Sequence, residues 1–114
     1  MTNVYYNPEQ GTKDQGHGTP TMFIGILKLT LYIPESGSLK SKRRVLRSLK
    51  DRLKNQFNVS VAEVDHHDLW QKATVAVALV TRDKRHADES LQKILNKVES
   101  WGLAEIIDIS TEIL

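Results

Sequence analysis

From Phe23 onward the apolar residues of this chain switch between a spacing of two and a spacing of three or four, and that succession constrains the architecture more than any other feature. From Phe23 to Ile33 the side chains alternate. Phe23, Leu27, Leu29, Leu31 and Ile33 lie on one side, and Ile24, Ile26, Lys28, Thr30 and Tyr32 on the other, which is the period of a strand. Pro34 lacks an amide donor and ends it. Glu35-Ser36-Gly37 reads as a turn, and Ser38 as a helix N-cap. Leu46, Leu49, Leu53 and Phe57, flanked by Leu39 and Val45, then recur at three and four, which predicts a helix of about five turns. Asn58 is its expected stop. Val59–Val64 reads as a second strand and Asp65–Trp70 as a polar connection. Ala73–Val80, apolar and small, has the composition of a central strand. Thr81 and Asp83 are both candidate caps for a second helix carrying Ala87, Leu91, Ile94, Leu95, Val98 and Trp101, with Gly102 at the position of a C-terminal glycine. Leu103–Leu114 reads as the last strand, with Ile107, Ile109 and Ile113 on one face.

The order is β-α-β-β-α-β. Two right-handed crossovers joined by the central connection give an α+β, ferredoxin-like sandwich: a four-stranded antiparallel sheet, order 4-1-3-2, with both helices on one face. The other face would carry Ile24, Ile26, Thr30, Tyr32, Thr74, Ala76, Ala78 and Val80. That is too apolar for a free surface, so Ile24, Ile26, Tyr32, Thr74, Ala76 and Ala78 are expected to form an oligomer interface or to meet a partner. Residues 22–114 form one domain, which should bury about 65% of its unfolded surface. Residues 1–21, rich in glycine, proline and polar residues, read as a disordered tail. Met22 is a candidate alternative start.

Chemistry is sparse. With no cysteine, disulfides, thiolate metal sites and cysteine nucleophiles are excluded. No basic-then-apolar leader opens the chain, and the mainly apolar stretch Met22–Ile33 is too short to span a membrane. A cytoplasmic location is expected. Asp65-His66-His67-Asp68 is the one cluster of potential metal ligands or acid–base groups. Its residues are consecutive, however, and would point to alternate sides. Asp65, His66 and Asp68 are therefore read as turn residues that bond the backbone, with Trp70 anchoring the connection to the core. No nucleophile elbow or phosphate loop is present. The expectation is a non-enzymatic protein without metal or cofactor.

The charge is uneven. Residues 38–57 hold eight Lys or Arg against one Asp, a local charge of +7 in a chain whose total is +2, so the remainder carries −5. Arg43, Arg47, Lys50 and Lys54 fall on one stripe of the helix, flanked by Lys40 and Arg44. Lys40, Lys42 and Arg43 stand near the helix N-terminus, where cations oppose the macrodipole unless an anion is bound. Ser38 and Ser41 would add hydroxyl donors. Such a surface suits nucleic-acid phosphates without base readout.

Four blocks carry a resemblance: Phe23-Ile24-Gly25, Ser38-Leu39-Lys40-Ser41-Lys42-Arg43, Leu49-Lys50-Asp51-Arg52-Leu53, and Phe57 through His66 with Asp68-Leu69-Trp70-Gln71. Together they resemble the YlxP-like family of small bacterial proteins, a domain of unknown function, over Met22 to Leu114. Residues 1–21 lie outside the match, and His67 stands where that family is expected to have Gln. The resemblance implies a ferredoxin-like fold, a cytosolic bacterial protein, and a gene neighbourhood of translation-initiation and ribosome-maturation factors. It implies no established activity. The expected partner is RNA or a ribosomal subunit, bound through Ser38, Lys40, Arg43, Arg44, Arg47, Lys50 and Lys54. The alternative is a structural or regulatory oligomer built on the open sheet face.

Overall fold

A computed structural model describes residues 22–34 and 36–114. The expected tail, residues 1–21, lies outside the described residues. The elements follow the expected order: β1 (Phe23–Tyr32), α1 (Leu39–Gln56), β2 (Ser60–Asp65), β3 (Lys72–Thr81), α2 (Lys84–Trp101) and β4 (Glu105–Ile113). The strands form one antiparallel sheet in the order β2-β3-β1-β4. This is the ferredoxin-like topology that the spacing predicts.

Local chemistry sets the boundaries. Ser38, in extended conformation, caps α1 by accepting from Ser41 N at 3.1 Å. Phe57 rather than Asn58 closes α1, donating its amide to Leu53 O. Of the two candidate caps for α2, Asp83 is the one used. Its Oδ1 accepts from Arg85 N at 2.9 Å, while Thr81 Oγ1 accepts from Asp83 N. Gly102 ends α2 at φ 64°, in the left-handed region where a side chain would be strained.

The core lies between the sheet and the two helices. Leu27, Leu29, Leu31 and Ile33 from the β1 segment, and Ala73, Val75, Val77 and Leu79 from β3, form one cluster with Leu46, Leu49 and Leu53 of α1 and Ala87, Leu91, Ile94 and Val98 of α2. Gly25 is buried opposite α2. A Cβ there would lie 3.4 Å from Leu91 Cδ1 and 3.5 Å from Ala87 Cβ, ordinary contact distances, so a methyl fits but a larger side chain would press on α2.

Both outer strands carry an extra residue. In β4 the pairing passes from Thr30↔Asp108 to Leu31↔Ile106, which leaves Ile107 unpaired. The expectation that Ile107 shares a face with Ile109 and Ile113 is therefore corrected. Ile106 opposite Leu31 shares the side of Ile109 opposite Leu29 and Ile113 opposite Gly25, and Ile107 is the extra residue between them. In β2, Val64 is the extra residue between Glu63↔Val75 and Asp65↔Thr74. On the face away from the helices, Ile24, Ile26, Lys28, Thr30 and Tyr32 stand opposite Val80, Ala78, Ala76, Thr74 and Lys72.

Because a Cβ at Gly25 would already be in contact with α2 and one at Gly37 would meet nothing, the two should respond differently to added side chains. Gly25→Val is expected to destabilise by about 1–3 kcal/mol through overpacking. Gly37→Ala, whose Cβ would meet no atom within 4 Å, should stay within about 0.5 kcal/mol. Urea unfolding midpoints measure both.

Candidate nucleic-acid interface

The amphipathic period of α1 divides its cations. Leu46, Leu49 and Leu53 face the core, which turns Arg43, Arg47 and Lys54 outward into solvent and leaves Lys50 half-buried at the margin of the stripe. Lys40 and Arg44 are also exposed. Among the described residues the side-chain ion pairs are Lys42–Glu63 and Arg85–Glu89, and neither involves the stripe. Arg52 turns away from it, with its guanidinium 5.7 Å from the centre of the Trp101 ring.

Two of the serines and cations at the helix start have other work. Ser38 is engaged in the cap, with its Oγ also 3.1 Å from Ser41 Oγ, and buried Ser36 donates to Ser38 O at 3.1 Å. The expected hydroxyl donors at 38 and 41 thus bond one another and the backbone.

Lys42 departs furthest from expectation. It is 1% exposed, and its Nζ donates to His66 O at 2.7 Å, Leu69 O at 2.7 Å and Lys72 O at 3.0 Å. An ammonium has three donors, and three carbonyls use them. Glu63 Oε2 lies 2.8 Å away as the neutralising charge, outside hydrogen-bond geometry. Lys42 is therefore not an anion ligand of the helix start. It holds the β2–β3 connection onto α1. The pattern was present in the sequence: Lys42, Leu46, Leu49 and Leu53 are spaced four, three and four, and Glu63 shares with Val61 the inward side of β2.

The connection is built around that ammonium. His66 adopts φ 65°, left-handed and unusual for a side-chain-bearing residue. Its amide donates to Asp65 Oδ1 at 2.7 Å, its carbonyl accepts from Lys42, and its Nδ1 lies 2.9 Å from Thr74 Oγ1, which is 3.2 Å from Thr30 Oγ1. His67 Nε2 pairs with Glu63 O at 3.2 Å. Asp65 and the two histidines are thus occupied in shaping the turn, and among the described residues no three His, Asp or Glu converge as a metal-binding set. Thr74, expected at an open interface, is 5% exposed beneath His66. Trp70, expected to anchor the loop in the core, is 55% exposed; Lys42 supplies the anchor instead.

The architecture and surfaces define the class: a small ferredoxin-like domain with a basic outer helix and one sheet face that none of the described elements covers. The chain belongs to the family described as "Protein of unknown function (DUF503)", which matches residues 24–111. It is 35% identical over 89 residues to the uncharacterised protein YlxP of Bacillus subtilis (strain 168), spanning 78% of this chain and 97% of that protein. A de novo designed protein, Foldit4, shares the fold alone, at TM-score 0.50 and 13% identity over 82% of this chain and 96% of its own. No described helix is long and apolar enough to cross a membrane.

Removing the ammonium should be costly. Lys42→Met leaves three carbonyls and Glu63 without their partner and is expected to destabilise by about 3 kcal/mol or more. Glu63→Gln, which leaves those three carbonyl bonds in place, should cost less. Chemical denaturation of the two variants compares them directly.

Proposed function

We propose that the protein is a non-enzymatic RNA- or ribosome-associated factor of the cytoplasm that grips phosphate backbone through α1. The observation that carries this reading is the stripe of exposed Arg43, Arg47 and Lys54 with half-buried Lys50 at its margin. It has no acidic partner among the described residues and is flanked by exposed Lys40 and Arg44. Four like charges on one helix face repel one another and add nothing to folding, whereas a phosphate ribbon neutralises them and releases its counterions. Ser38 belongs to this surface as the cap that fixes where the helix begins.

Binding of the full chain to purified ribosomal subunits, followed by co-sedimentation, tests the reading. With four phosphate contacts, affinity for single-stranded RNA should fall about fifty-fold between about 50 and 200 mM salt. A folded variant with Arg43, Arg47, Lys50 and Lys54 all changed to Glu should not bind. A flat salt response, or equal binding by the variant, would sink the proposal.

A second reading concerns the opposite side of the molecule. Ile24, Ile26, Ala76 and Ala78 are contiguous on a sheet face that no element of the described chain covers, and Val80 at its end is 67% exposed. Pairing with a second copy would bury that strip. Ile26→Lys should then shift the sedimentation coefficient from dimer to monomer, while charge reversal on α1 leaves it unchanged. The two readings are compatible because the surfaces lie on opposite sides of the sheet.

A further inference from the structure

We propose that the groove beside Trp70 receives an unpaired RNA base, stacked on the indole, so that the protein favours single-stranded over duplex RNA. The inference rests on the reading of α1 as a phosphate-contact surface and adds to it a site for the nucleobase. Trp70 is 55% exposed, although a tryptophan has more apolar area to hide than any other side chain. Its exposure is not looseness. Leu69 O and Lys72 O are held by the Lys42 ammonium, Ile33 N donates to Gln71 O at 2.9 Å, and Gln71 Nε2 donates to Pro34 O at 3.0 Å. The backbone is therefore fixed on both sides of an indole left facing solvent. A platform held in place before binding loses little entropy when a ring lies on it.

The surroundings fit a nucleotide. Tyr32 and Leu69, both partly exposed, share a groove of about 710 Å³ with Trp70, and Gly37 leaves its wall open. Lys72 lines the same groove. Lys42 ties the loop to the first turns of α1, beside exposed Lys40 and Arg43, so phosphates flanking a stacked base would continue onto the basic helix. Asp68 in the groove repels a phosphate and accepts from a base amino group, so the base rather than the backbone enters. Every base offers a π-face, so the occupant is single-stranded RNA with little sequence preference.

The test uses the full chain with Trp101→Phe, which leaves Trp70 as the one tryptophan of the sequence's two. A short mixed-sequence RNA is titrated as a single strand and as a duplex. Binding is read by anisotropy of a labelled strand, and stacking by quenching of Trp70 fluorescence. The single strand should quench Trp70 and bind about tenfold tighter than the duplex. Trp70→Ala should lose about tenfold on the single strand, the effect of one stacked base, with its salt slope and unfolding midpoint unchanged. Trp70→Phe should recover most of the loss. If RNA binds with the expected salt dependence but leaves Trp70 unquenched and Trp70→Ala unimpaired, the base site is refuted while the phosphate surface stands. The groove would then belong to another occupant, such as an apolar peptide. If neither form of RNA binds, both readings fall together.

Discussion

The arrangement turns on one buried ammonium. Lys42 Nζ joins α1 to two carbonyls of the β2–β3 connection, to the carbonyl of Lys72 at the start of β3 and to the carboxylate of Glu63. Desolvating a lysine costs several kcal/mol, and the cost is offset only where every donor has an acceptor and the charge has a counterion. Both conditions hold here. What the interaction secures is position: a mainly polar connection that would otherwise lie loosely at the end of the sheet is held against the helix that carries the basic stripe. The left-handed backbone of His66 follows from the same constraint, because that turn aims its carbonyl at the ammonium while its ring closes over Thr74.

Most of the fold was legible from spacing. The switch between strand and helix periods specified six elements in order, and the order specified the sheet. The errors share a physical cause: spacing reports periodicity, while charge and insertion act through contacts that are distant in sequence. Lys42 was counted with the helix-start cations because a basic residue is assigned to the surface, although its place in the four-three-four pattern with Leu46, Leu49 and Leu53 put it on the inner face. Unbroken alternation groups Ile107 with Ile109 and Ile113, because the bulge shows only in the pairing with β1. Trp70 was taken as an anchor on account of its size. The carbonyls that hold its loop are backbone atoms, and no side-chain pattern announces them.

The stripe itself was legible, since charge at helical spacing is visible in sequence. The family to which the chain belongs is described as of unknown function, and the relative in Bacillus subtilis is uncharacterised. The described residues present chemically distinct surfaces: cations on α1, and aliphatic residues on the sheet face away from the helices. The groove beside Trp70 lies where the two meet, since Tyr32 and Lys72 of the sheet face line it together with Gly37 just before α1.

The extra residues in β2 and β4 bear on how such a domain can meet another copy of itself. These two strands are the sheet's outer edges, where unpaired amides and carbonyls invite a neighbouring chain to add on. Val64 and Ile107 break the regular ladder at each edge and increase its local twist. A sheet running continuously through two copies would have to match that irregularity on both sides. A pairing of the two aliphatic strips, if it forms, would instead be face to face, an arrangement that closes on itself with twofold symmetry.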